Sequence, residues 1–255
     1  MGVDLSAAPE RTAAATIEWR RRDATVAVPE VGLDDGALLS CLADGEWIGI
    51  DAPFGWPEAM VAALHSYGTE GAWPSVAKND FRHRHTDRFV REMVLAETGA
   101  KLWPLSVSSD RIGLTAWRLA GLRESAFRRS GIRFDRAGAD QVIEVYPAAA
   151  LLLWGLNRLG YKGGTGAPRE PTTLTREALL TAIEEQAPWL RWAPAARRKC
   201  VESADALDAV LAALIARACA LGLTARPEGE DTEHARSEGW IHLPRQGSLP
   251  GLLDG

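Results

Sequence analysis

Acidic residues placed within or at the end of apolar, strand-like segments constrain the fold of this chain more than any other feature. Asp4 ends the segment GVD, Asp51 ends WIGID, and Glu144 lies inside QVIEVYP. An ionised carboxylate in apolar surroundings is costly unless cations or hydrogen bonds neutralise it. These three acids therefore predict a shared site at the edge of a sheet, where a cation is bound.

A later segment, SADALDAVLAALIARACALG, has the apolar spacing of a helix and begins with two further aspartates. Asp205 and Asp208 are three positions apart, so they project from nearly the same side of its first turns. Gly222 suits the C-terminal cap. Clustered carboxylate oxygens suit Mg²⁺ or Mn²⁺. The predicted metal ligands are Asp4, Asp51, Asp205 and Asp208.

The order of these segments predicts an α/β fold built on a mixed sheet flanked by helices. Three strand-like segments open the chain, a helix follows over 34–43 with Asp34 as its cap, and the apolar run WIGIDAP is a central strand. Strand character returns only at QVIEVYP, before a helix that begins at Pro147. Residues 58–136 form a helical insertion between the fourth and fifth strands. We expect residues 1–255 to be a single domain with its site at the carboxyl edge of the strands.

Composition limits the location of the protein and its partners. Three cysteines without paired metal-ligand spacing, and an N-terminus without a leader segment, predict a cytoplasmic protein. The longest apolar run, near 206–221, is interrupted by Asp208 and Arg217, so no membrane span is expected. The net charge of −5 argues against avid, nonspecific coating of nucleic acid.

The charge is unevenly distributed along the chain. Residues 78–136 contain 13 Lys and Arg against 7 Asp and Glu. This basic segment either faces phosphates or forms a solvated helix surface, and the sequence leaves both interpretations open.

Five residues are predicted to contact a substrate. Guanidinium groups bind phosphate through two parallel hydrogen bonds, and a flexible loop lets a lysine reach a phosphate, although YKGGTG lacks the GKS or GKT ending of a phosphate-binding loop. The five are Arg82, Arg84, Asp87, Arg111 and Lys162.

The chain resembles the domain of unknown function 429 family, whose members are predicted to be nucleases of RNase H-like fold. The resemblance spans nearly the whole chain and rests on the segments GVDLS, GIDAPFGWP, FRHRHTDRFVRE, PLSVSSDRIG, IEVYPAAA, DALDAVLAAL and EGWIHLP. It implies an RNase H-like fold and a metal-dependent nuclease with a nucleic acid or nucleotide substrate.

The segment DALDA also resembles the paired-aspartate helix of RuvC-type Holliday-junction resolvases. By this resemblance Asp4 corresponds to the first-strand aspartate and Asp51 to the fourth-strand acid, which is glutamate in the resolvases. Two ions roughly 3.5–4 Å apart would activate a water and stabilise the leaving oxygen. Asp4 would bridge both ions, with Asp51 on one and Asp208 on the other. Asp205 or Glu144 would complete the catalytic set by ligating an ion or positioning the water.

Two other functions compete with a metal-dependent hydrolase of phosphodiester bonds. The RNase H-like superfamily includes ATP-dependent phosphotransferases, but their first strand is followed by a glycine-rich loop, whereas Asp4 is followed by Leu-Ser-Ala-Ala. A non-catalytic nucleic-acid-binding module with a structural metal site is the other alternative.

Overall fold

The computed structural model describes residues 1–43, 45–163 and 171–254, and these contain nine strands and ten α-helices. The strands are β1 (Gly2–Asp4), β2 (Ala13–Ala15), β3 (Ile17–Trp19), β4 (Ala24–Val26), β5 (Glu30–Val31), β6 (Ile48–Asp51), β7 (Val142–Val145), β8 (Leu190–Trp192) and β9 (Ile241–His242). The helices are α1 (Asp35–Ala43), α2 (Glu58–Glu70), α3 (Lys78–Arg82), α4 (His85–Thr98), α5 (Gly113–Ser130), α6 (Pro147–Leu153), α7 (Thr172–Gln186), α8 (Pro194–Glu202), α9 (Ala204–Ala220) and α10 (Asp231–Glu238).

The larger sheet has six strands in the order β5-β2-β1-β6-β7-β9. Strands β1, β6, β7 and β9 run parallel, while β2 is antiparallel to both of its neighbours. The predicted α/β fold with a mixed sheet is therefore confirmed. Its RNase H-like character and the single-domain organisation remain predictions.

The opening of the chain differs from the three strands that were predicted. Five short strands precede α1, and they are divided between the larger sheet and a smaller one of order β3-β4-β8. The segment TAAATIEW breaks at Thr16, whose carbonyl accepts a hydrogen bond from the amide of Ala27 (3.0 Å). Residues before this break pair with β1, and those after it pair with β4.

The helical insertion lies where it was expected relative to the larger sheet. Helices α2 to α5 occupy the chain between β6 and β7, which are the fourth and fifth strands of that sheet in chain order. Residues 52–141 are all described and contain no strand. The predicted caps are also present: Asp34 Oδ1 accepts a hydrogen bond from Ala37 N (2.8 Å), and Gly222 has a φ of +69°.

Helix α9 packs against the larger sheet with its backbone unusually close to two strands. A Cβ atom added to Gly2 in β1 would lie 2.1 Å from a carbonyl oxygen of α9, and one added to Gly49 in β6 would lie 2.4 Å from another. Successive side chains of a strand point to opposite faces. Asp4 and Asp51, each two residues after one of these glycines, therefore share the α9 side of the sheet.

The opposite face of the sheet carries a second apolar cluster. Val3 and Ile50, which alternate with the glycines and aspartates of their strands, pack there with Leu38 of α1 and Leu119 of α5. The central strands are thus covered on both faces, as a continuous apolar strand requires. No helix in the described part of the chain combines the length and apolar character needed to cross a bilayer.

Candidate metal centre

Three carboxylates converge at the carboxyl end of the two central strands. Asp4 and Asp51 lie opposite each other in the parallel register of β1 and β6. Asp208, in the second turn of α9, approaches them from the helix layer. One carboxylate oxygen of each residue lies within 4.8 Å of the other two. The fold therefore brings together three of the four predicted metal ligands.

The environment of this acid cluster opposes ionisation. Burial raises the pKa of Asp4 well above its ordinary value, and the charges of Asp208 and Asp51 raise it further. Burial, together with the charge of Asp208, raises the pKa of Asp51 to about 7, although Lys162 acts in the opposite direction. Carboxylates held together in this way favour the binding of a cation.

Two neighbouring residues hold Asp208 in place. The Tyr161 hydroxyl donates a hydrogen bond to Asp208 Oδ1 (2.8 Å), and the Lys162 ammonium group forms an ion pair with Asp208 Oδ2. Burial disfavours the charged form of Lys162, but the negative charges of the nearby aspartates favour it more strongly. The pKa of Lys162 is therefore raised well above its usual range. Lys162 was predicted to bind a phosphate, and the structure shows it paired with a predicted metal ligand.

The donor set suits a hard divalent ion. The three residues offer only carboxylate oxygens, the ligands that Mg²⁺ and Mn²⁺ prefer. Two oxygens on opposite sides of one Mg²⁺ are about 4.2 Å apart, because each Mg–O bond is about 2.1 Å long. Small rotations of the three side chains would bring them onto one ion.

Asp205 stands apart from the acid cluster. Its carboxylate forms an ion pair with Arg11 (3.1 Å), and its side chain is 21% exposed, whereas that of Asp208 is fully buried. Within the described residues it is not a member of the group of three convergent acids. Three positions on a helix span about 300°, so the two aspartates lie on the same side without reaching the same point.

Glu144 is close to the cluster but is paired with another residue. Its two carboxylate oxygens accept hydrogen bonds from Nη2 and Nη1 of Arg84 at 2.7 and 2.9 Å. Oε2 also accepts one from the backbone amide of Phe54 (2.9 Å). Glu144 was predicted to be catalytic, but its oxygens are held by Arg84 and Phe54, and it is not in the group of convergent acids among the described residues. This geometry does not support a ligand or water-positioning role.

Arg84 and Asp87 belong to the same buried network. Asp87 accepts hydrogen bonds from Nη2 and the backbone amide of Arg84, both at 2.9 Å, and the two side chains are 2% and 0% exposed. Arg84 is thereby held between Asp87 and Glu144. This geometry does not support the predicted contact of Arg84 and Asp87 with a substrate phosphate, because both are already paired away from solvent.

A cavity of about 550 Å³ opens onto the acid cluster. Asp4 and Asp51 lie in its wall, together with the cations Arg111, Arg158 and Lys162. The side chains of Arg111 and Arg158 have neither a hydrogen-bond nor an ion-pair partner among the residues that the structure describes. The cavity therefore combines a floor of carboxylates with a rim of available guanidinium groups.

The comparison with protein families identifies the chain. The model of the family described as "Protein of unknown function (DUF429)" matches residues 2–233. The chain belongs to this family. No curated protein and no solved structure matches it.

The family description names no activity, so the nuclease assignment of this DUF429 member remains a prediction. The match extends over all three convergent acids as well as Tyr161, Lys162 and the buried Arg84 network. It therefore covers the acidic and cationic residues of the candidate site, but not Ile241 of the cavity lining.

Most arginines of the basic segment 78–136 make contacts within the protein. Arg118 donates hydrogen bonds to the carbonyl groups of Ser6 and Leu33, and Arg136 donates one to that of Ser237. Arg82, a predicted phosphate ligand, contacts Ser109 Oγ (3.3 Å) and is not among the residues lining the 550 Å³ cavity. Of the predicted phosphate-binding arginines, Arg111 is the one available at the cavity.

Sequence reasoning missed two residues of the site. Arg158 lines the cavity and Tyr161 positions Asp208. Both are close to Lys162 in the segment NRLGYKGG, and a cation four residues before another in a glycine-containing loop was the available signal for Arg158. Nothing in the sequence links Tyr161 to an aspartate 47 residues later.

Proposed function

We propose that the protein is a divalent-metal-dependent hydrolase of phosphodiester bonds, a nuclease that uses Mg²⁺ or Mn²⁺. The convergence of Asp4, Asp51 and Asp208 beneath a cavity rimmed by arginines carries this proposal. Three carboxylates from two strands and a helix bind a cation, and the rim binds an anion. A phosphate diester is an anion that such a centre can hydrolyse.

The proposed division of labour follows from the contacts of each residue. Asp4, Asp51 and Asp208 would hold a divalent ion, whose chemistry would be to polarise a phosphoryl oxygen and to lower the pKa of a water molecule that acts as the nucleophile. Arg111 and Arg158 bind the phosphate, because a guanidinium group without an internal partner is free to form paired hydrogen bonds with phosphate oxygens.

The buried network of Arg84 acts as a support rather than as a substrate contact. Glu144 accepts a hydrogen bond from the backbone amide of Phe54, which lies three residues after Asp51. The guanidinium group of Arg84 holds the Glu144 carboxylate in place. This contact ties down the chain directly after a metal ligand. Residues that orient ligands through such outer contacts commonly influence metal affinity by an order of magnitude or more.

The test is a cleavage assay on labelled single-stranded DNA, duplex DNA, RNA and branched-junction substrates, with and without Mg²⁺ or Mn²⁺. The wild type should cleave at least one of them only when the ion is present. Asp4→Asn and Asp208→Asn should each abolish cleavage. Asp140→Asn, an exposed aspartate remote from the cluster, should leave it unchanged.

Two results would contradict this function. Cleavage that persists in the presence of a chelator would exclude a divalent-metal mechanism. Full activity in Asp4→Asn would exclude the acid cluster as its centre. ATP turnover without cleavage of any nucleic acid would favour the phosphotransferase alternative.

A further inference from the structure

The ammonium group of Lys162 contacts the acid cluster directly. It pairs with Oδ2 of Asp208, a residue with no exposed side-chain surface, while 48% of the Lys162 side chain remains exposed. The lysine thus enters from solvent and places its charge among the carboxylates. Asp208 is consequently engaged on both oxygens, by Lys162 and by the Tyr161 hydroxyl.

The spacing of the carboxylates suits one ion better than two. Their convergent oxygens lie within 4.8 Å of one another, close to the span of about 4.2 Å between opposite ligands of a single Mg²⁺. Two ions need carboxylates that bridge and flank a separation of about 3.5–4 Å. The two further acids predicted for that purpose, Asp205 and Glu144, are paired with Arg11 and Arg84.

The charges of the acid cluster also favour one bound divalent ion over two. Asp4, Asp51 and Asp208, when ionised, carry three negative charges. One divalent ion and one ammonium group balance them. Two divalent ions beside the same ammonium group would leave two positive charges in excess in a largely buried site, whereas without the ammonium group they would leave only one. Uncompensated charge of either sign is costly there.

We propose that Lys162 occupies the position of a second cation, so that the centre formed by Asp4, Asp51 and Asp208 binds a single divalent ion while the ammonium group pairs with Asp208 Oδ2. The inference rests on the proposed metal-dependent function and replaces the two-ion arrangement expected from the resemblance to resolvases. Lys162 supplies beside the substrate phosphate the positive charge that a second ion supplies in a two-metal site.

Counting the bound ions tests this proposal without reference to activity. Equilibrium dialysis against saturating Mn²⁺ should give one ion per chain for the wild type. Lys162→Met removes the ammonium group while keeping a side chain of similar length, and should raise the count to two. Lys101→Met, at an exposed lysine outside the site, should keep the count at one.

The electron paramagnetic resonance spectrum of the wild-type protein with bound Mn²⁺ also reports the number of ions. This measurement does not require any variant to fold. One isolated Mn²⁺ gives the six-line electron paramagnetic resonance pattern of an uncoupled ion, whereas a pair about 4 Å apart gives a spectrum altered by coupling between the ions. Two ions in the wild type, or one ion in a folded Lys162→Met, would overturn the role of Lys162 and leave the metal-dependent function intact. Absence of bound Mn²⁺ in the wild type would remove the proposed function itself, and this inference with it.

Discussion

Among the individual residues of the site, Asp51 links the proposed metal centre to the stability of the metal-free protein. Its pKa of about 7 in the folded protein exceeds the ordinary value of 3.8, so the folded state binds more protons than the unfolded state between these two pH values. The free energy of unfolding of the metal-free protein therefore falls as the pH rises through this window, and the loss is complete above pH 7.

Asp51→Asn should consequently stabilise the metal-free protein at high pH. Asparagine cannot ionise, so the advantage of the variant over the wild type should be about 2 kcal/mol larger at pH 8 than at pH 5. Urea unfolding in the presence of a chelator measures this difference. In the control, Asp140→Asn, the stability relative to the wild type should be the same at pH 5 and at pH 8. A metal-free Asp51→Asn that is less stable than the wild type at pH 8 would contradict the electrostatic account of the cluster.

Arg84 stabilises the protein through two buried acids. Arg84→Met would leave Glu144 and Asp87, which are 3% and 0% exposed, without their cation, and we expect a loss of about 3–5 kcal/mol in the free energy of unfolding. Arg128 also forms an ion pair, with Glu124, but its side chain is 74% exposed. Arg128→Met should cost no more than about 0.5 kcal/mol. Equal losses in the two variants would show that Arg84 does not carry a buried charge network.

The convergent acids of the site were predictable because each is an acid in an apolar segment, where only a functional or paired role explains it. The sequence pattern identified Asp4, Asp51 and Asp208 on this ground. The same reasoning cannot separate Glu144, also a buried strand acid, from a ligand, because its partner Arg84 lies 60 residues away in the chain. Pairing between distant side chains is settled by the folded topology.

Among the secondary-structure elements, β1, β6 and α9 determine the site together. The two strands repeat the pattern glycine, apolar residue, aspartate, in GVD and GID. Each glycine lets the backbone of α9 approach the sheet, and each aspartate then follows on the same face. This close contact places Asp208 of α9 within reach of Asp4 and Asp51.

Gly49→Ala tests that arrangement. The added methyl group would lie 2.4 Å from a carbonyl oxygen of α9, so the helix must shift, and we expect a loss of about 3 kcal/mol in stability together with weaker Mn²⁺ binding. Gly121 lies within α5, and apart from its own helix backbone the described residues place no atom within 4 Å of an added Cβ. Gly121→Ala should stabilise the protein by up to about 1 kcal/mol and leave Mn²⁺ affinity unchanged. Denaturant unfolding and metal titration measure these effects. A Gly49→Ala variant with unchanged stability and unchanged Mn²⁺ affinity would refute the close packing.

The elements that follow simple sequence periodicities were predicted correctly. Strands β6 and β7, and helix α9 with its Gly222 cap, follow from apolar runs and terminal signals. The division of the opening strands between two sheets was missed. It depends on β4 pairing with β8, whose paired residues come 166 positions later, and local patterns carry no information on such a partner.

Across the whole molecule, the basic segment does not form an open phosphate-binding surface. Most of its arginines bind carbonyl groups or acids of the protein, and Arg111 and Arg158 are the guanidinium groups available at the cavity. The negative overall charge is consistent with a protein that contacts a few phosphates and does not coat a polymer.

Binding of single-stranded DNA should therefore depend weakly on salt. Two phosphate contacts predict a slope between about −1 and −2 in a plot of log affinity against log salt concentration. Fluorescence anisotropy of the inactive Asp4→Asn variant measures it. Arg158→Met should make the slope shallower by a little under one unit, while Arg133→Met, whose guanidinium stacks on Phe127, should not change it. A slope several times steeper would mean that the basic segment binds the polymer.

Calorimetric titration of Mn²⁺ into the wild type and Asp4→Asn, with Asp140→Asn as the control, measures whether the acid cluster binds a metal. If Asp4, Asp51 and Asp208 form a metal centre, the wild type and Asp140→Asn will bind Mn²⁺ with equal affinity, and Asp4→Asn will lose at least tenfold. Equal binding by all three proteins, or no binding by the wild type, would contradict the account and leave the acid cluster without a metal.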